Sequence, residues 1–180
     1  MTDRPNDTLL RFGKVLALII QGLCAVGGAI ALLLIPVLIL ASQDMLPGSL
    51  GGEGSSLAGQ SFPVVLAIPL LMAVSLAALF FFFGKMRAII GSASEGDPFI
   101  PENARHLNAM AWLLFVHEVV AMLVGELRAY VANLGNEQGG NTIEYSPYDL
   151  DGVLIVIVLF ILARVFRHGA AMRADLEGTV

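Results

Sequence analysis

The stretch Leu107-Asn108-Ala109-Met110-Ala111-Trp112-Leu113-Leu114-Phe115-Val116-His117-Glu118-Val119-Val120-Ala121-Met122-Leu123-Val124, continuing to Leu134, decides how this chain is read. It is long and apolar enough to cross a bilayer as one helix, since about 20 residues at 1.5 Å each span a hydrocarbon layer of roughly 30 Å. Yet it carries His117 and Glu118 at its middle, and Glu126 and Arg128 near its end. A carboxylate at the centre of a membrane-spanning helix costs on the order of a few kcal/mol unless it is neutralised or paired. The expectation is that the other helices gather about Glu118, so that it meets protein or a small polar cavity and not lipid.

Composition points the same way. Of 180 residues, 57% are hydrophobic and only 14% charged. A soluble domain of this size has too much surface for so few charges. The chain reads as all-α and polytopic, with four transmembrane helices, at about 15–40, 62–83, 107–128 and 148–167. The first apolar run, Val15 to Leu40, is far longer than the 7–15 residues or so of a secretory signal core, so it reads as a retained span. Gly22, Gly27 and Gly28 leave a smooth strip on it for a neighbouring helix. Pro36 and Pro69 should bend the first and second spans. The Phe80–Phe83 cluster reads as lipid-facing bulk. The lone cysteine, Cys24, has no partner for an internal disulfide.

Between the spans, 42–61 is a Gly/Ser-rich outer loop and 84–106 a hairpin. Pro101 and Glu102 suit the first turn of a new helix, where a missing N–H costs nothing and an acid complements the dipole. Ser146-Pro147-Tyr148-Asp149 reads as a capping box ahead of the fourth span. The tail 168–180 can prolong that helix into solvent. Orientation follows from the basic residues. Arg4, Arg11, Lys14, Lys85, Arg87, Arg105, Arg164, Arg167 and Arg173 fall on one side of a four-span layout, and Arg128 alone on the other. This distribution puts both termini and the hairpin in the cytoplasm and the protein in a bacterial inner membrane, as a multi-pass chain.

Enzymatic chemistry finds no foothold. His117-Glu118 opens a zinc-protease pattern, but the second histidine four residues on is replaced by Ala121. His106 and His117 share a helix face but stand about three turns apart, too far for one metal. Neither a Ser/His/Asp grouping nor a glycine-rich phosphate loop is present, and no metal or other cofactor is expected. Phosphate-binding basic runs are missing too, which argues against direct nucleic-acid binding.

Two readings of the polar residues remain. Gln21, His117 and Glu118 are the intramembrane polar set. Glu118 either ties the third helix to Gln21, Ser75 or a partner copy in a homo-oligomer, or serves as the coupling group of a small proton-coupled transporter or channel. The second candidate surface is cytoplasmic: the hairpin 84–106 with the tail 164–180. It mixes basic, acidic and apolar residues and could dock a soluble protein.

Gly96-Asp97-Pro98-Phe99 with Asn103, and Phe166-Arg167-His168-Gly169 through Leu176-Glu177-Gly178-Thr179-Val180, resemble the bacterial YoaS-like family of membrane proteins of unknown function. Members of that family are often encoded beside a small Xre-type helix-turn-helix regulator. The resemblance implies a non-enzymatic membrane sensor or anchor that binds such a regulator. The docking candidates are Asp97, Phe99, Asn103, Arg105, Arg167 and Arg173.

Overall fold

The computed structural model describes residues 5–43, 62–94, 98–135 and 150–177. They form four helices: α1 (Pro5–Ser42), α2 (Phe62–Ser94), α3 (Pro101–Gly135) and α4 (Leu150–Glu177). Each holds a segment long and apolar enough to cross a membrane. The molecule is an all-α, multi-pass membrane protein. The capping box at 146–149, most of the outer loop 42–61 and Asp97 lie outside the described residues.

Every helix is longer than its apolar run. α2 continues past Lys85 and Arg87 to Ser94, so most of the expected hairpin is helix and the described turn is confined to Pro98–Ile100. α3 begins at Pro101, with Glu102 in its first turn, as the dipole argument requires. Both Pro36 and Pro69 sit inside continuous helices. A spanning helix tolerates proline where its neighbours re-satisfy the freed carbonyl.

The helices do not close into a bundle. Among the described residues α1 packs on α2, α2 on α3 and α3 on α4, and no other pair shares more than a marginal contact. Gly13 lies against Ile90 and Gly27 against Leu76, so α1 and α2 run antiparallel. Ser92 beside Asn103 and Ser75 beside His117 make α2 and α3 antiparallel. Phe99 beside Phe166 and Trp112 beside Phe160 do the same for α3 and α4. The result is an open layer with α1 and α4 at its edges, and the starts of α1 and α3 share one end with the finish of α2 and α4. That end holds nearly all the basic side chains and is called the basic end below.

Small side chains make the interfaces. α1 buries Ala17, Cys24 and Ala31, and α4 buries Val156, Ala163 and Ala170. Both sets recur every seven residues, a period that drifts only about 20° per repeat on a straight helix and so keeps one stripe on one neighbour. Lipid tails are as apolar as leucine, so large aliphatic residues gain little by turning inward, whereas small ones let backbones approach. Leu23, Leu33, Phe81 and Ile161 accordingly point outward. Of the three α1 glycines read as a strip, Gly27 and Gly28 do face Leu76, but Gly22 opens on empty space.

Candidate functional site

The polar residues divide by depth. Gln21 is not part of a central cluster. Its Nε2 donates to the Phe80 carbonyl at 3.3 Å, and its Oε1 accepts from Arg87 Nη1 at 2.8 Å. Arg87 lies just beyond the apolar run of α2, which places Gln21 near the basic end. A Cβ at Gly84 would stand 3.1 Å from the Gln21 amide, so the glycine leaves room for the side chain. Gln21 ties α1 to α2 and lends an acceptor to a cation that would otherwise be poorly solvated.

The centre of the layer holds two separate contacts. His117 Nδ1 lies 2.7 Å from Ser75 Oγ, with Ser75 buried on α2; which atom donates depends on the histidine tautomer. Glu118 points the other way, because adjacent helix positions stand about 100° apart. Its half-buried carboxyl lies against Gly152 in the first turns of α4. A methyl group at Gly152 would overlap the carboxyl carbon and both oxygens, so only glycine admits this approach. The pairing of Glu118 with Gln21 or Ser75 expected from the sequence is therefore corrected. Ser75 goes to His117, Gln21 goes to Arg87, and Glu118 is seated on a glycine that no polar motif announces. Nor do four helices gather about the acid, because α1 and α2 lie on the far side of α3 from its seat.

The basic end is organised by the turn between α2 and α3. Asn103, only 1% exposed, donates from Nδ2 to the Pro98 carbonyl at 2.8 Å and to Ser92 Oγ at 2.7 Å. Ser92 passes a bond on to the Ile89 carbonyl at 2.9 Å, and the Asn103 backbone N–H donates to the Ile100 carbonyl at 3.0 Å. The backbone bond satisfies a first-turn donor of α3, and the side-chain bonds tie the end of α2 to the turn. Asn103 thus has almost no side-chain surface for a partner. The turn holds Phe99 out over α4, with its ring 5.1 Å from Phe166 and packed on Gly169, whose Cβ would come within 3.1 Å of it.

Of the remaining docking candidates, Arg105 is exposed and paired with Glu102 at 2.7 Å one turn earlier. Arg167 and Arg173 are exposed on α4. Glu126 and Arg128 are exposed far from Glu118 on α3. Among the described residues no three His, Cys, Asp or Glu side chains converge as a metal site would require. Two grooves flank the last half of α4. One, about 550 Å³, runs from Asn108 and Phe160 to Arg167; the other, about 720 Å³, runs from Ile161 to Arg173 beside Phe99. Arg164 and His168 line both.

Phe99 of the connector and the Phe166–Gly169 stretch of α4, read from separate short motifs, thus pack against each other. A family model described as "Protein of unknown function (DUF2975)" matches residues 49–180, which takes in α2, α3 and α4. The chain belongs to this family. No curated protein and no solved structure matches it. The DUF2975 match covers the α2–α3 connector and α4, the two parts that build the surface around Phe99, and leaves out α1. The seat of Glu118, the Ser92–Asn103 lock and the Gln21–Arg87 bond all join residues distant in sequence. Their one signal in the chain was the presence of Gly152, Ser92 and Gly84 at otherwise unremarked positions.

Proposed function

We propose that this DUF2975 protein is a non-enzymatic sensor or anchor of a bacterial cytoplasmic membrane, with both ends in the cytoplasm. Its basic end holds a small Xre-type helix-turn-helix regulator. The observation that carries this reading is the Phe99 platform. A buried asparagine network spends its hydrogen bonds on holding a large apolar ring over α4, half in solvent, with Arg173 in the same groove and Arg167 lining the neighbouring one. An exposed aromatic anchor with arginine about it is the composition of a protein contact. The YoaS-like resemblance supplies the kind of partner. The docking set is Phe99, Arg105, Arg167 and Arg173, with Asp97 contributing from the connector; Asn103 acts by shaping it.

The proton-coupled alternative leans on Glu118, and its environment weighs against that. The carboxyl sits against the backbone of Gly152, while the polar pair Ser75 and His117 lies on a different face of α3. A proton route needs successive polar groups through the layer.

The test is co-purification of the full-length chain with a small Xre-type helix-turn-helix protein. Phe99→Ala and Arg167→Ala should each reduce capture about tenfold or more, as loss of an interface anchor does. Undiminished capture by both variants would refute the docking surface.

A further inference from the structure

The groove of about 720 Å³ on α4 sets a basic row beside an apolar one. The apolar row is made by Ile161 and Val165, both more than half exposed, with Met172 and the Phe99 edge further toward the basic end. The basic row beside it is Arg164, His168 and Arg173. Arg164 and His168 are four residues apart and therefore neighbours on one helix face. Their depth is bracketed by two ring contacts: Phe99 with Phe166 on the side of the basic end, and Trp112 with Phe160 one to two turns further into the apolar part of α3. The cations thus begin where the apolar run of α4 ends at Ala163, and the apolar row extends from among them to Ile161 in the spanning part. Because α4 is an edge helix, no other described helix covers this face.

We infer that this groove is a binding site for one anionic phospholipid. Its phosphate lies between Arg164 and His168, with Arg173 at the mouth, and one acyl chain runs along Val165 and Ile161. Arginine offers a planar fork that pairs phosphate oxygens two at a time. Basic pockets beside spanning helices at the membrane surface bind lipid headgroups by this chemistry. A free phosphate would use the cations but leave the apolar row uncovered. A soluble protein could reach Arg173 but not Ile161, which lies at the depth of the acyl tails. The basic row and the apolar row beside it select a molecule that has both parts.

The inference does not depend on the regulator, and its test contains none. Full-length protein is presented in detergent with equal amounts of phosphatidylglycerol and phosphatidylcholine, and bound lipid is counted by native mass spectrometry. Phosphatidylglycerol should be retained in preference. Arg164→Gln should weaken its retention about fivefold, the effect of one cation near an anionic surface. Arg105→Gln, which removes an equal charge from α3, should leave the preference intact, as should added inorganic phosphate. If Arg164→Gln fails to assemble, His168→Gln and Arg173→Gln read the same groove. Equal retention of the two lipids by the unaltered chain overturns the inference. So does an equal loss in Arg105→Gln, which would mean diffuse charge, or displacement by phosphate, which would mean a small-anion site.

Discussion

Replacing Gly152 by alanine should change sign in its effect on stability according to what stands at position 118. In the unaltered chain the new methyl overlaps the Glu118 carboxyl carbon and both oxygens. The carboxyl is the mobile end of a flexible side chain, so it can swing aside, but only by leaving its seat for an unfavourable rotamer or for lipid. Overpacking of this kind costs about 1–3 kcal/mol. Against it stands the ordinary gain of alanine over glycine in a helix, at most about 1 kcal/mol. The net expectation is a loss of roughly 0–2 kcal/mol from those two terms. With Glu118→Ala already in place the obstruction is gone, and only the helix gain remains, so Gly152→Ala should then stabilise. The coupling between the two positions should be about 1–3 kcal/mol, as for residues in direct contact. The chain supplies its own reporter. Its one tryptophan, Trp112, packs edge-on against Phe160 of α4 at 5.5 Å, so its fluorescence follows separation of α3 from α4. Unfolding in mixed micelles by increasing dodecyl sulfate, read at Trp112 in the four variants of the cycle, gives the numbers. If Gly152→Ala stabilises in both backgrounds or destabilises in both by the same amount, Glu118 does not occupy this seat.

Two further outcomes follow from the same contacts. Asn103→Ala leaves the Pro98 carbonyl and Ser92 without their partner in a buried place, and should cost about 1–3 kcal/mol. Amide hydrogen exchange should quicken at Ile100–Asn103 before it does in the middle of α3. Gly27→Val should weaken the seating of α1 on α2 by about 1–3 kcal/mol, because its Cβ alone would stand 3.2 Å from Leu76 Cδ1. Gly22→Val, with nothing within 4 Å, is the control and should not lower the unfolding midpoint. Equal effects of the two valines would contradict the packing of α1 described above.

The polar residues show where reading the chain in one dimension stops. Periodicity and cost place Glu118 in the apolar part of α3 and demand that something face it. They cannot say what, because the candidates are separated by tens of residues and the choice depends on which helices are neighbours. A closed bundle would have brought Gln21 within reach of the third span. An open layer puts α1 two helices away from α3 and leaves Gln21 to Arg87, where it gives one acceptor to a cation at the edge of the apolar zone. The partner of the acid is then a residue with no side chain at all. Asn103 is a similar case: as an asparagine near a connector motif it reads as surface, and the fold uses it as an internal brace.

What the sequence determined was set by solvent. Runs of 20 or more apolar residues have only one way to satisfy their backbone in lipid, so four helices were legible from composition and length alone. So was the crowding of cations at one end, since charge asymmetry is a property of the chain and not of its packing. Tertiary structure decided which helix lies beside which, that the layer stays open, and hence the whole arrangement of Glu118, His117 and the groove of α4. Between helices already in lipid the apolar faces are nearly equivalent, and the choice falls to a few small residues and hydrogen bonds whose partners are far apart in the chain.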